Sequence, residues 1–395
     1  MERETRVVQI CPCYVDLERE TGGVANIVRQ ICLHLAKQEI DVLLLCGNRE
    51  LGTVKAQPGV RRIGRFLSME VYGQLAHPLL GPTKALTRRL ASLDGRSVAH
   101  VHTCFSAFSE AAMRACHSRG IPFVFTPHGK LSPHSWAAHH WAKDLWWTVK
   151  ASKAIEHAAI IAVSSGEEAE QLQRFAFRSA GGVVPNGYDA SAAEEFDGAA
   201  PFIPPPYVLF LGYLDPRKQP EFLVEAFARS QASRRRHRLV FAGPDCYGQQ
   251  SLIRRRAESL GLLDSTVFFG PAYGDAKWNL LQHASCLCLP SLGEGLPLVL
   301  CEALGAGTPT IVSRACNFPD IAAEGAGLLL ENFDPAQWAD AIDRISLDET
   351  VRLGMRDAAR SLRAHYAWDA IVRRWSGLYA SLSKSSASLQ ASVPA

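Results

Sequence analysis

Short apolar runs alternate with segments of helical periodicity along nearly the whole chain, and this alternation limits the fold more than any other feature. Val7–Cys11, Asp41–Leu45, Val98–His102, Phe123–Thr126 and Ile160–Val163 read as buried strands. Between the first two, Val24, Ile27, Val28, Ile31 and Leu35 recur at helical spacing. Strands separated by helices imply parallel sheets, because a parallel connection needs a crossover. Near residue 190 the texture breaks. Residues 190–206 are rich in Ala, Glu and Pro and end in Pro204, Pro205 and Pro206. Alternation then restarts: strands Val208–Leu211, Leu239–Ala242, Val267–Phe269, Cys286–Leu289 and Thr310–Val312, with helices Pro220–Ser230, Gln250–Leu260 and Leu298–Gly305 among them.

The expected architecture is therefore α/β, with two Rossmann-like doubly wound domains facing across a cleft. The expected boundaries are 1–200, a Pro-rich linker at 201–206, and 207–367. A helix over 368–383 is amphipathic through Ile371, Val372, Trp375, Leu378, Tyr379 and Leu382. Its Ser- and Ala-rich continuation, 384–395, reads as a disordered tail. At 395 residues the chain is long enough for two cores. Ligands of doubly wound sheets lie beyond the carboxyl ends of the strands, which directs attention to the loops there.

Composition excludes several classes. The formal net charge is +3, which gives no reason to expect a nucleic-acid partner. Residues 1–160 carry 20 basic against 13 acidic side chains, so the first domain is mildly basic and suits an anionic lipid surface or a phosphorylated acceptor. Eleven scattered Cys make no disulfide framework, and the pairs Cys11/Cys13 and Cys286/Cys288 lack partners at zinc spacing. A reducing, cytoplasmic setting is expected. Four charges in the first six residues exclude a secretion signal there, and no run reaches the roughly 18 apolar residues of a membrane span.

The most informative stretch runs from Pro290 to Pro309, PSLGEGLPLVLCEALGAGTP. Glu294 falls in a loop directly after a strand. Glu302 follows eight residues later on the helix that Pro297 helps open. Glu302 is the single charge between Leu296 and Thr310. A carboxylate in such a window needs hydrogen-bond partners, and a ribose diol supplies two donors. The opening turn of the helix, Leu296 to Val299, offers free N–H groups suited to a phosphate. A glutamate bonded only to nearby backbone is the plainer alternative.

Glu-x7-Glu around G-L-P-L, followed by E-A-L-G-A-G-T-P, closely resembles the large family of retaining GT-B glycosyltransferases, the glycosyl transferases group 1 of bacterial polysaccharide type. The resemblance implies that Glu302 binds the donor ribose, that Glu294 contacts the transferred sugar, and that Gly295, Leu296, Pro297, Leu298 and Val299 give backbone bonds to sugar and pyrophosphate. It extends over nearly the whole chain. Thr21-Gly22-Gly23 is similar to the family's Gly-rich loop, which places Gly23 near the donor phosphate. Thr126-Pro127-His128-Gly129 is similar to its His-containing loop, which places His128 at the transferred sugar. Val163-Ser164-Ser165, Val184-Pro185-Asn186-Gly187 and Phe210-Leu211-Gly212 match further landmarks. In Gly212-Tyr-Leu-Asp-Pro-Arg-Lys218, Lys218 matches a pyrophosphate-binding Lys, but Tyr213 stands where many members have Arg; Arg217 is the residue placed to compensate. His102, at another strand end, is a candidate for the acceptor side. Trp136, Trp141, Trp146 and Trp147 point several ways around a helix and form no single stripe.

The resemblance implies front-face transfer from a UDP- or GDP-sugar to a glycan or lipid-linked acceptor, in exopolysaccharide or lipopolysaccharide synthesis, at the inner face of a membrane. No D-x-D triplet occurs in the chain, so neither metal nor other cofactor is expected. The competing readings are a partner subunit that keeps the fold without turnover and a nucleotide-sugar epimerase. A Rossmann dehydrogenase is disfavoured because no G-x-G-x-x-G follows the first strand.

Overall fold

The computed structural model describes residues 5–50, 53–73, 83–94, 96–137, 140–177, 180–195 and 200–391. They form two compact units, Met1–Pro185 with Asp369–Ala395, and Asn186–Trp368.

The first unit is built on strands β1 (Arg6–Cys11), β2 (Val42–Gly47), β3 (Gly59–Arg62), β4 (Leu67–Tyr72), β5 (Ser97–His102), β6 (Phe123–Thr126), β7 (Ile160–Val163) and β8 (Ala180–Val183). They lie in the order β8-β7-β6-β5-β1-β2-β4-β3, and every pairing is parallel except β3 with β4. Val8, Ile10, Leu43, Leu45, Ala99, Val101, Phe123 and Phe125 are buried in one cluster, which is why these strands read as continuous apolar runs. From β1 the chain goes one way to β2, and the other neighbour of β1 is β5. The crevice beyond the ends of β1 and β5 is thus the topological switch point. Helix α1 (Gly23–Lys37) starts there.

Among the described residues the second unit has six strands, all parallel: β9 (Tyr207–Leu211), β10 (Arg238–Ala242), β11 (Thr266–Gly270), β12 (Cys286–Leu289), β13 (Thr310–Ser313) and β14 (Gly327–Leu330). Their order is β11-β10-β9-β12-β13-β14. This is the doubly wound order of dinucleotide-binding sheets, with its switch point between β9 and β12. Helices α2 (Gly274–His283) and α3 (Leu298–Ala306) flank it. Where β9 and β10 end, the backbones nearly touch: a Cβ on Gly243 would run into the Gly212 carbonyl, so only glycine fits.

Two boundaries differ from the sequence expectation. The units divide at Pro185/Asn186, not in the Pro-rich stretch. That stretch is tied into the second unit: Ile203 is buried in its core and the Phe202 N–H donates to Asn279 Oδ1 at 2.8 Å. The final helix, α4 (Trp368–Ala391), also runs on through most of the segment expected to be disordered. Ala and the last turns' straight-chain residues have little propensity cost in a helix, so Ser/Ala richness alone did not imply disorder. Residues 392–395 of that segment lie outside the described residues. From Asp369 onward α4 belongs to the first unit, where Ile371, Val372, Trp375 and Tyr379 are buried; Leu378 is only half-buried. The Ser376 hydroxyl, 2.6 Å from Gln38 Oε1, ties it to the end of α1.

Candidate active site

In the second unit the candidate residues gather at the switch point. β9 ends at Leu211 and leads through Gly212 to a 3-10 turn, Pro216–Lys218, capped by the Asp215 carboxylate. β12 leads into the loop that carries Glu294. The two loops are joined, since the Leu292 N–H donates to the Arg217 carbonyl at 2.8 Å. Lys218 Nζ lies 2.8 Å from Glu294 Oε1, which also accepts from the Ser291 hydroxyl at 3.0 Å. The loop is held from behind: the Glu294 N–H donates to the Ala315 carbonyl and Asn317 Nδ2 donates to the Glu294 carbonyl. Glu294 Oε2 accepts from no described residue among these. The carboxylate is therefore aimed by one face and open at the other.

The G-L-P-L turn is clamped as well. Asn186 Nδ2 donates to the Leu296 carbonyl at 2.6 Å, and the Cys301 thiol donates to the Asn186 carbonyl at 3.3 Å. Pro297 sits at the N-cap of α3 with no side-chain cap, and the first turn holds no acidic residue. The first N–H groups of α3, from Leu298 and Val299 on, thus keep the anion-binding capacity of an uncapped helix start. Glu302, one turn further on, is buried. Its Oε1 lies 2.7 Å from Nζ of Lys277, itself buried, from α2. Sequence reasoning missed Lys277. A lysine in G-D-A-K-W-N carries no local mark of burial.

Arg217 stands apart from this pair of ion pairs. Its guanidinium forks onto Asp215, with NH2 to Oδ2 at 2.6 Å and Nε to Oδ2 at 3.0 Å, while its side chain is 49% exposed. Burial alone would raise the Asp215 carboxyl; the Arg217 N–H groups outweigh it and hold that carboxyl below its ordinary value. Arg217 is beside Lys218 in sequence but is already engaged.

The first unit presents a different chemistry at its own switch point. Gly22 is the N-cap of α1, and Gly23 opens the helix at φ +59°, a left-handed conformation that glycine adopts without strain. A Cβ on Gly23 would meet no atom within 4 Å, so the space above it is open. His102, at the end of β5, is fully buried; its Nδ1 lies 2.9 Å from His128 Nε2 and its Nε2 lies 2.7 Å from Gln9 Oε1. His100, two residues earlier, bonds to the Tyr379 hydroxyl and the Thr126 hydroxyl, each at 2.8 Å. His128 has φ +51°, and the next residue's N–H is held by Glu168 at 2.7 Å, which fixes the loop. Burial pushes the imidazoles of His100 and His102 well below the ordinary value and takes His128 down to about 3, with Lys130 adding repulsion. These rings are neutral at pH 7. Sequence reasoning found His102 and His128 but not Gln9, His100 or Tyr379.

The comparisons with known proteins bear on the family and the fold. The family model "Glycosyltransferase Family 4" matches residues 21–192, and "Glycosyl transferases group 1" matches residues 193–362. The chain belongs to the group 1 glycosyltransferases. Among relatives, the D-inositol 3-phosphate glycosyltransferase of Saccharomonospora viridis is 27% identical over 89% of this chain and 87% of its own length. Among solved structures, sucrose-phosphate synthase from Thermosynechococcus elongatus superposes with a TM-score of 0.77 at 20% identity, covering 96% of this chain and 99% of that one. HepE of Anabaena, in complex with UDP-glucose, gives 0.72 at 16% identity over 96% and 100%. The chain is thus a GT-B glycosyltransferase, and its two sheets are the Rossmann-like pair of that fold.

Proposed function

We propose that this glycosyltransferase is retaining and metal-independent, and that it moves a hexose from a UDP- or GDP-sugar to a glycan or lipid-linked acceptor. The observation that carries the reading is the Lys218–Glu294 pair, 2.8 Å apart, at the switch point of a doubly wound sheet beside the uncapped start of α3. Lys218 and the N–H groups of α3 supply fixed positive potential for a departing diphosphate, which is electrostatic preorganisation. With those groups in place the chemistry needs no D-x-D metal clamp. Glu302, oriented by Lys277, takes the ribose. Glu294, oriented by Lys218 and Ser291, takes the sugar, and within the first unit the sugar contact is assigned to His128. Gly23 and Gly295 to Val299 give close backbone contacts; His102, expected on the acceptor side, is fully buried and acts instead by holding His128. In front-face transfer the bond from the anomeric carbon to the diphosphate breaks while the acceptor oxygen bonds to that carbon from the same face, which leaves the anomeric configuration unchanged, and the acceptor's proton passes to the leaving phosphate oxygen. HepE's UDP-glucose makes UDP the base to test first.

A membrane-borne acceptor has its own support. The helix over His140–Trp146 and its continuation to Ala151 expose Trp141, Leu145 and Val149 at 69%, 62% and 54%, each four residues from the last, with exposed Lys150 and Lys153 nearby. An apolar stripe beside cationic side chains suits an anionic bilayer surface, in keeping with acceptors used in exopolysaccharide or lipopolysaccharide synthesis. No helix among the described residues is long and apolar enough to cross a membrane.

The test is to incubate the protein with UDP- and GDP-hexoses and lipid-linked acceptor, with and without EDTA. Diphosphate release that persists in EDTA and a product of unchanged anomeric configuration are expected. Turnover that vanishes in EDTA and returns with manganese, or an inverted linkage, would contradict the reading. Sedimentation with phosphatidylglycerol vesicles, lost in Trp141→Ser/Leu145→Ser, tests the surface.

A further inference from the structure

Six side chains of the first unit form one unbroken line of hydrogen bonds. They come from five elements: Gln9 on β1, His100 and His102 on β5, Thr126 at the end of β6, His128 in the loop beyond it, and Tyr379 on α4. The distances along the line are 2.9 Å (His128–His102), 2.7 Å (His102–Gln9), 3.0 Å (Gln9–Tyr379), 2.8 Å (Tyr379–His100) and 2.8 Å (His100–Thr126). Gln9, His100 and His102 are fully buried, and Tyr379 nearly so. Polar atoms buried this deeply are hydrogen-bonded as a rule, and this line is what serves them.

Such a line has a sense. A neutral imidazole donates at one nitrogen and accepts at the other, an amide donates only at its nitrogen, and a hydroxyl does both. Gln9 decides the sense because its two ends are not alike. Its Nε2 donates to the Tyr379 hydroxyl, so that hydroxyl must spend its own proton on His100 Nδ1. His100 then donates from Nε2 to Thr126. On the other side Gln9 Oε1 accepts, so His102 carries its proton on Nε2 and leaves Nδ1 as an acceptor. His128 must therefore donate from Nε2 to His102 Nδ1. Its own Nδ1 is left with a lone pair. Turning the Gln9 amide over would reverse every bond and put the proton of His128 on Nδ1 instead.

The geometry points to Gln9 as a positioning residue: its amide, accepting from His102 at Oε1 and donating to Tyr379 from Nε2, holds His128 as the Nε2–H tautomer and so presents Nδ1 to the transferred sugar as a hydrogen-bond acceptor. The consequence for catalysis rests on the reading above that His128 meets the sugar; the tautomer itself does not. An acceptor at that position recognises a sugar hydroxyl that donates. It rejects a fluorine or a hydrogen in its place, because a deleted partner leaves a buried polar group unmatched.

Nitrogen-15 NMR of histidine-labelled full-length protein at pH 7.5 reads tautomers directly, with His128 assigned by its loss in His128→Gln. His128 is expected with a protonated Nε2 and an unprotonated Nδ1. A protonated Nδ1 in the wild type would overturn the proposal. In Gln9→Leu the line is cut between His102 and Tyr379, nothing fixes which nitrogen of His102 carries its proton, and His128 is expected to become a mixture of tautomers. If His128 keeps its wild-type pattern in Gln9→Leu, Gln9 does not position it and the proposal fails. Turnover separates the second layer: kcat should fall in proportion to the fraction switched, about twofold for an even mixture, with the stoichiometry of UDP binding unchanged. A switched tautomer with unchanged kcat would leave the relay standing and remove His128 from the sugar.

Discussion

The two sheets end in opposite chemistries. At the switch point of the second unit, polar groups are charged and paired: Lys218 with Glu294, Lys277 with Glu302, Arg217 with Asp215. At that of the first unit they are neutral and chained: His128, His102, Gln9, Tyr379, His100 and Thr126. Each suits a different partner. A nucleoside diphosphate is a concentrated anion whose charge grows as the sugar leaves, so fixed cations and N–H dipoles are useful there. A sugar or an acceptor alcohol is uncharged, and is recognised by directional donors and acceptors that need not be desolvated as ions. The same fold serves both because the strand ends, not the sheets, carry the difference.

The comparison breaks most readily at Lys218. Lys218→Ala removes the cation proposed to face the leaving diphosphate and takes the ion-pair partner from Glu294. The expected loss in kcat is about 10²–10³, the range for deleting one electrostatic donor to a developing charge. Steady-state diphosphate release measures it, and diphosphate affinity should fall by less. A loss under tenfold would mean that the charged end is not where charge develops.

Lys277→Met tests the buried pair for its structural weight. It leaves Glu302 as an uncompensated buried carboxylate, which costs about 3–5 kcal/mol. Urea unfolding followed by the protection of peptides from β12 and α3 should register that loss locally. Peptides from β5 and β6 should be unaffected.

Acid should act on the other end. The imidazoles of His100, His102 and His128 have folded pKa values depressed below the ordinary 6.5, His128 to about 3. The unfolded chain therefore binds protons that the folded chain refuses. Stability is fully present above about pH 6.5 and is lost as pH falls toward 3, at about 1.4 kcal/mol per pH unit for each ring that must stay neutral. Hydrogen exchange at pH 7.5 and pH 5 should show β5 and β6 losing protection before β9 and β12. Uniform loss would erase the contrast between the units.

The smallest effect is expected at Arg217. Because its guanidinium is engaged by Asp215, Arg217→Ala should lower kcat less than tenfold, well short of Lys218→Ala. An equal loss would restore Arg217 as the substitute for the arginine absent at Tyr213.

Much of this was legible in the sequence, for physical reasons. Strands buried on both faces leave continuous apolar runs, so Phe123–Thr126, Ile160–Val163 and Cys286–Leu289 were located to the residue. Glu294 and Glu302 stood out because a charge in an apolar window has to be explained. The partners of those charges were not legible. Lys277 is buried by how α2 packs, and its neighbours in sequence do not show it. Gln9 and Tyr379 are 370 residues apart and meet only because α4 lies in the first unit. Strands Gly59–Arg62 and Leu67–Tyr72 were missed, since the first is exposed along its length and gives no apolar run. The unit boundary was displaced because prolines mark loops, and this loop is packed within the second unit.

The central claim is that the charged end binds the nucleotide and the neutral end does not. Calorimetric titration of UDP, and of GDP in parallel, into the wild type, Glu302→Gln, Glu294→Gln and His128→Gln tests it directly. Glu302→Gln should weaken the preferred diphosphate at least tenfold, since it loses a charged hydrogen bond to the ribose, about 1.4 kcal/mol or more. Glu294→Gln and His128→Gln, whose partner is the sugar that the diphosphate lacks, should stay within about twofold of wild type. Weakening by His128→Gln as large as that by Glu302→Gln would contradict the division, as would a wild type that binds neither diphosphate.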